Sequence, residues 1–297
     1  MSVFTMIDSK LISDYREDEN FRSSFNRLTD LVFGFNLEDW YLKGFWDDRY
    51  IPYSFVKNSE IIANVSVSRM DMILNGVKRK AVQIGTVMTH PDYRGMDLSA
   101  GLMNHVINKY DSECDLMFLF ANSDTFDFYP RFGFKRQVEH QFFLNTDKIP
   151  RGNSKLVKLD ISKPASLQML YRIAVNRKPV SNVFAAENAH NLLMYHCMYI
   201  FNNDIYYHEE TDSILIFRND HDTLHVFDII NSSQVNFIML AGLMVDTITR
   251  RILLHFTPDI LNLDISPKKV EMEDALFFLA ASFGFNYPFY RQKTCEA

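Results

Sequence analysis

Residues 82–103, Val-Gln-Ile-Gly-Thr-Val-Met-Thr-His-Pro-Asp-Tyr-Arg-Gly-Met-Asp-Leu-Ser-Ala-Gly-Leu-Met, combine a strand, a turn and a helix start in a way that could bind an anion. Residues 82–89 are apolar and rich in β-branched side chains, as a buried strand should be. Pro91 removes a backbone donor and ends that strand. Leu98, Leu102 and Val106 recur at helical spacing, so a helix starts near Leu98. The turn between, with Arg94 and Gly95, feeds the helix N-terminus, where unpaired N–H groups and the positive end of the dipole suit a phosphate. An ordinary strand–turn–helix unit with a surface arginine has the same spacing, so spacing alone leaves both readings open.

The residue types narrow the choice. Thr89-His-Pro-Asp-Tyr-Arg-Gly-Met-Asp-Leu-Ser99, followed by Leu102, resembles the acyl-CoA pyrophosphate loop of the GNAT N-acetyltransferases. That family's pattern is Val-x-Pro-x-x-Arg-Gly-x-Gly-x-Gly/Ala-x-x-Leu. Asp97 stands where the family has Gly, and Ser99 where it has Gly or Ala. Downstream, Asn122-Ser-Asp-Thr-Phe-Asp-Phe-Tyr-Pro-Arg-Phe-Gly-Phe134 resembles the family's Asn-x-x-Ala-x-x-x-Tyr-x-x-x-Gly-Phe segment, with Asn122, Tyr129, Gly133 and Phe134 in register.

The resemblance implies acyl transfer from acetyl-CoA to an amine, with no metal. It implies that strand 82–89 splays from strand 116–121, so that backbone groups of Val87 and Thr89, around Met88, pair with the pantetheine arm. The N–H groups of Arg94, Gly95, Met96, Asp97, Leu98 and Ser99 would hold the pyrophosphate, and Asn122 the pantetheine region. Tyr129 would protonate the leaving thiolate; alternatively it packs with Phe126 and Phe128, its hydroxyl simply satisfied. Asp97 is a favoured N-cap type, whose carboxylate would compete with the pyrophosphate for N–H donors; alternatively it turns out to solvent, since Asp tolerates the left-handed conformation that Gly often takes. No general base stands out: Asp71, Asp124 and the Asp47–Asp48 pair are candidates, each more readily read as a solvated charge.

The chain has 297 residues, 47% hydrophobic and 14% aromatic, enough for a sizeable core, and a net charge of −6. The absence of a basic tract argues against nucleic acid and anionic membranes. Cys114, Cys197 and Cys295 are few and scattered, which suits a reducing cytoplasm better than a disulfide scaffold. No secretory signal pattern is visible at the N-terminus, and the apolar runs at 235–245 and 275–285 are too short to span a bilayer. His190, His196 and Cys197 read as core residues rather than a metal site.

Sequence patterns predict a first strand within 1–12, helices at 19–34 and 37–45, and strands at 50–56 and 61–72. Asn75-Gly76 marks a hairpin, strand 77–89 follows, then helix 98–110, strand 116–121, a short helix around 125–131 and strand 136–144. Phe21, Phe25, Leu28, Leu31 and Val32 should line the buried face of the first helix. The aromatic and acidic residues of 33–53 would wall a site for a cationic amine, or else form core with the acids in solvent.

Residues 147–155 form the best linker, dividing the chain into 1–148, a GNAT acetyltransferase domain, and 154–297, a degenerate GNAT-like domain. The second half repeats the element order: strand 156–159, helices 164–175 and 189–201, strands 205–208, 213–218 and 224–230, a helical run 234–246, and strands 252–257 and 275–278. No Arg-Gly turn precedes Gln234, so only the first half should bind CoA. The fold class is therefore α/β, a GNAT fold in tandem. It resembles the first two domains of the enhanced intracellular survival group, whose terminal carboxylate is catalytic; this chain ends at Ala297, short of that group's third domain, so the carboxylate is not carried over. The expected partner is a small-molecule amine, with association between copies of the chain left open. A non-catalytic acyl-CoA-binding protein is the competing reading.

Overall fold

The computed structural model describes residues 8–233, 236–259, 265–270, 273–279 and 288–296. The chain opens with β1 (Lys10–Ser13), α1 (Glu19–Phe33), α2 (Glu38–Leu42), β2 (Tyr50–Lys57), β3 (Glu60–Leu74), β4 (Val77–Thr89), α3 (Leu98–Tyr110) and β5 (Leu116–Asn122). Two short strands, β6 (Lys135–Arg136) and β7 (Glu139–Asn145), follow. Next come β8 (Val157–Lys158), α4 (Pro164–Val175), β9 (Phe184–Glu187), α5 (His190–Tyr199), β10 (Ile205–His208), β11 (Ser213–Asp220) and β12 (Thr223–Ile230). The last elements are α6 (Phe237–Met244), β13 (Arg251–Leu254), β14 (Ser266–Val270) and β15 (Asp274–Leu279).

Local chemistry explains the punctuation. Asp18 caps α1 by accepting from the N–H groups of Asn20 and Phe21, and Gly34 ends it at φ 76°. Asn75 and Gly76, both at positive φ, make the two-residue turn of the β3–β4 hairpin. Phe25 and Leu28 of α1 are buried as expected, but Leu31 is 55% exposed. The short helix expected at 125–131 is instead two 3-10 turns, Ser123–Thr125 and Tyr129–Phe132. Pro130 lacks the N–H that a continuous α-helix needs there.

An eight-stranded sheet runs β1-β2-β3-β4-β5-β15-β6, with β9 also on β3; a seven-stranded sheet runs β14-β7-β13-β12-β11-β10-β8. In the first, α3 covers one face, where Val82, Ile84, Leu102, Met103, Leu119 and Phe277 form a core cluster. On the opposite face Phe25, Trp40, Trp46 and Tyr50 join a second cluster that reaches α4 and α5. Each sheet holds one parallel pair joined through a helix, β4–α3–β5 and β12–α6–β13, among the described residues. That shared unit is the structural counterpart of the repeated element order.

The sheets do not follow the division at 148–154. The strand expected at 136–144 splits: β6 stays in the first sheet beside β15, while β7 pairs with β13 and β14 in the second. In return, β15 lies antiparallel to β5, from Asp274↔Asn122 to Leu279↔Met117, and β9 extends the β3 edge. The division at the linker describes the order of elements, not the membership of the sheets. Gln234, where a helix was expected to begin, lies outside the described residues; α6 starts at Phe237, with the Asn236 side chain accepting from Met239 N–H.

Candidate active site

The parallel ladder between β4 and β5 is short. It pairs Ala81 with Leu116, Val82 with Met117, Gln83 with Phe118 and Ile84 with Leu119, then stops. From Gly85 onward the two strands part, and β15 fills the other edge of β5 as far as Asn122. The gap therefore opens between β4 and β5, toward the loop that enters α3.

A bulge marks the parting. The β3–β4 register shifts between Asn64 and Ser66, so that Gly85 faces Ser66 and Met88 faces Asn64, leaving an extra residue in β4. Beyond it, His90 N–H donates to Ile62 O at 2.8 Å. Hydrogen-bonded and non-bonded pairs alternate in an antiparallel ladder, so the next pair, Ala63 and Thr89, is a non-bonded one. The N–H and C=O of Thr89 point away from β3, into the gap, and by the same alternation so do those of Val87. The Met88 side chain is 3% exposed and packs in the core on the face away from α3, so only its backbone borders the gap.

The loop at the mouth of the gap begins with a 3-10 turn, Pro91–Tyr93. Arg94 is extended, and Gly95 and Asp97 both have positive φ, 76° and 55°. Asp97 thus sits left-handed and makes no side-chain cap bond, because a cap needs extended backbone. The competition for N–H donors expected of its carboxylate is absent. Gly101 N–H donates to Asp97 O at 2.9 Å, which leaves the first N–H groups of α3 outside the helical ladder. Arg94, Gly95, Met96 and Asp97 are exposed, whereas Leu98 is anchored in the core. The Ser99 hydroxyl meets that of Thr89 at 2.6 Å, tying the helix start to the strand end.

Across the gap, Asn122 ends β5 and accepts at Oδ1 from the Thr125 hydroxyl, 2.9 Å away. Tyr129 is 6% exposed, with its ring edge-on to Phe128 at 5.2 Å and tilted against Phe277 at 6.2 Å. It shares the α3-side cluster with Ile84, Leu119 and Leu98. Burial pushes its phenol up to about 12. The hydroxyl therefore holds its proton at neutral pH, as a donor to a thiolate must.

Residues 15–136 match the acetyltransferase (GNAT) domain family. Residues 15–136 form a GNAT domain. No curated protein matches the sequence. Among solved structures, a probable N-acyltransferase from Enterococcus faecalis superposes with a TM-score of 0.58 at 16% identity, over 91% of this chain and 71% of that one. Eis1 from Mycobacterium abscessus superposes at 0.57 with 13% identity, over 91% and 72%. A GCN5-related N-acetyltransferase from Kribbella flavida superposes at 0.54 with 15% identity, over 91% and 71%. These likenesses extend over both sheets and concern the fold.

Of the carboxylates singled out as bases, Asp71, Asp47 and Asp48 are engaged by neighbouring side chains. Asp71 binds Lys78 at 3.1 Å and the Asn188 amide at 2.5 Å, and Asp48 lies 3.5 Å from Arg69. Asp47 stands 3.7 Å from Arg49 and 3.6 Å from His190, and Asp124 is exposed. Most of the aromatic segment packs into the core. Trp40 packs edge-on to Tyr50 at 5.3 Å, Trp46 donates its indole N–H to Tyr50 O, and all three residues are buried. His196 bonds Glu296 O at 2.6 Å, and Cys197 is buried with its thiol pushed up by desolvation. Among the described residues no group of His, Cys, Asp and Glu side chains could hold a metal. Sequence reading missed β15 as the second neighbour of β5, and the buried side chains Tyr50 and Asn64 that hold the bulge; the Asn-Gly hairpin was the only local hint of where β3 and β4 register.

Proposed function

We propose that the GNAT domain transfers an acetyl group from acetyl-CoA to the amine of a small molecule. The parting of β4 and β5 beyond Ile84 and Leu119, in line with the uncapped start of α3, carries this reading. In it, the first N–H groups of α3 and the loop from Arg94 to Ser99 hold the pyrophosphate. The gap-facing backbone of Val87 and Thr89 pairs with the pantetheine arm, and Asn122 borders it from β5. Positioning is the main contribution to rate. The amine nitrogen attacks the thioester carbonyl carbon, the C–S bond breaks as the tetrahedral intermediate collapses, and Tyr129 gives its proton to the departing sulfur. The cationic nitrogen of the intermediate releases its proton to solvent and the Tyr129 phenolate takes one back from solvent, so a neutral amine needs no dedicated base.

Three scattered cysteines, Cys114, Cys197 and Cys295, suit a cytoplasmic setting, and no helix among the described residues is long and apolar enough to cross a membrane. The test is thiol release from acetyl-CoA in the presence of a panel of primary amines. Amine-dependent release supports the transferase; acetyl-CoA binding without release on any amine favours a non-catalytic acyl-CoA-binding protein instead.

Asp97 gives this reading a second check. Its carboxylate does not compete for helix N–H groups, so its remaining effect is a negative charge beside the ligand's phosphates. Asp97→Gly is expected to tighten acetyl-CoA about threefold to tenfold. Glycine adopts the φ of 55° freely, so stability should change by less than about 0.5 kcal/mol. Titration calorimetry of both proteins at one ionic strength measures the first effect, and equal or weaker binding by the variant counts against phosphate binding at this loop.

A further inference from the structure

Thr86 is the β-branched residue among the described residues with positive φ, 48°; the other non-glycine positions there are Asp, Asn, Ser or His. A branched Cβ is disfavoured in left-handed backbone, so neighbours must hold this conformation. Two do. Asn64 donates its side-chain N–H to Thr86 O at 2.9 Å, and the Tyr50 hydroxyl lies 2.7 Å from the Thr86 hydroxyl. Asn64 is itself fixed, accepting from the Ser54 hydroxyl at 2.8 Å and donating to Ser66 at 2.9 Å. Ser54, Asn64 and Ser66 are fully buried. A hydrogen-bonded row across β2 and β3 thus serves one residue of β4.

That residue occupies the closed end of the gap. Ile84 and Val87 both face the α3-side cluster, so the bulge turns Thr86, between them, toward the opposite face and Tyr50. A chain lying in the gap from the α3 loop ends where Ile84 pairs with Leu119. On the α3 side Ile84, Leu119, Leu102 and Met103 are at most 1% exposed and leave no room. On the other side stands the Thr86–Tyr50 bridge, backed by Trp46 edge-on to the Tyr50 ring at 5.2 Å.

We propose that Thr86, clamped by Tyr50 and Asn64, sets the length of the acyl group and restricts the site to short esters such as acetyl and propionyl. The inference rests on the reading of the gap as an acyl-CoA site. A longer chain has to displace the bridge or leave its methylenes in water. Acyl length is read by binding alone and needs no acceptor.

The experiment is titration calorimetry of CoA, acetyl-CoA and octanoyl-CoA with the wild type, Thr86→Gly and Thr86→Ser. Glycine suits the backbone at this position, and serine keeps the hydroxyl that Tyr50 holds. Octanoyl-CoA is expected to bind the wild type at least about tenfold more weakly than acetyl-CoA, and the Gly variant within about threefold, with CoA itself unchanged. Thr86→Ser should keep the wild-type ratio. Should the Gly variant not fold, Tyr50→Phe, which frees the bridge but keeps the ring, is expected to narrow the same ratio. Equal binding of both esters to the wild type, or a ratio unmoved in the Gly and Phe variants, overturns the role of Thr86 while leaving the acyl-CoA site intact. Failure of CoA and both esters to bind any of the proteins overturns the acyl-CoA reading and this inference together.

Discussion

Tyr129→Phe is expected to lower kcat about 10- to 1000-fold while acetyl-CoA affinity stays within a few-fold, the pattern left when a general acid is lost. The variant keeps the ring that packs against Phe128, Phe134 and Phe277, so only the hydroxyl is removed. Burial raises the phenol to about 12, which fixes the sign of the pH dependence. The protonated form is the active one, so Tyr129 causes no loss of rate as pH rises through the ordinary tyrosine value near 10. Stability behaves in the opposite sense to a salt-bridged carboxylate. The contribution from keeping Tyr129 neutral is full below about 10 and is lost between about 10 and 12, as the unfolded chain ionises first. Steady-state kinetics of both proteins at saturating substrates, repeated across pH, provide the measurement. Unchanged turnover in the Phe variant removes the acid role, and Tyr129 is then a packed aromatic residue and no more.

Arg291→Met is expected to cost about 3–5 kcal/mol of stability, because it strands a buried charge. Arg291 is 0% exposed and Glu139 4%. Its Nε donates to Glu139 Oε1 at 2.8 Å, a second guanidinium nitrogen donates to Oε2, and the Arg291 backbone N–H also reaches Glu139. The guanidinium donates further to Asp274 O at 2.7 Å. Glu139 begins β7 of the second sheet and Asp274 begins β15 of the first, so one side chain from the end of the chain joins both sheets. Urea unfolding should show a lower midpoint at unchanged slope. Replacing both partners, Arg291→Met with Glu139→Leu, should recover most of the loss, since the penalty belongs to the unpaired carboxylate. A single variant as stable as the wild type refutes the bridge.

Within the first half, local signals placed the elements closely. Asn75-Gly76 positioned the hairpin, and the spacing of Leu98, Leu102 and Val106 gave α3 its observed start. These features depend on turn chemistry and helical period within a few residues, which a sequence displays directly. Leu31 shows the limit of the same logic: it has the helical spacing of a core residue but is 55% exposed. The aromatic run from Trp40 to Tyr50 shows it again. Composition could not tell a pocket wall from a core, and mutual packing buried Trp40, Trp46 and Tyr50.

The sequence by itself determined the βα unit around Arg94, the register of Asn122 with Tyr129, and the repeated order of elements in the second half. Only the tertiary structure decided which strands share a sheet. β15 beside β5, β7 beside β13 and β9 beside β3 join segments far apart in the chain, and pairing of that kind leaves no periodic trace in any one segment. The tertiary structure also decided the conformations of two residues at the gap. Asp97 is left-handed and makes no cap bond to the helix start, and Thr86 is held in a conformation its own side chain disfavours by Tyr50 and Asn64 from neighbouring strands. At Thr86 these long-range contacts outweigh a local preference worth only about 1–2 kcal/mol.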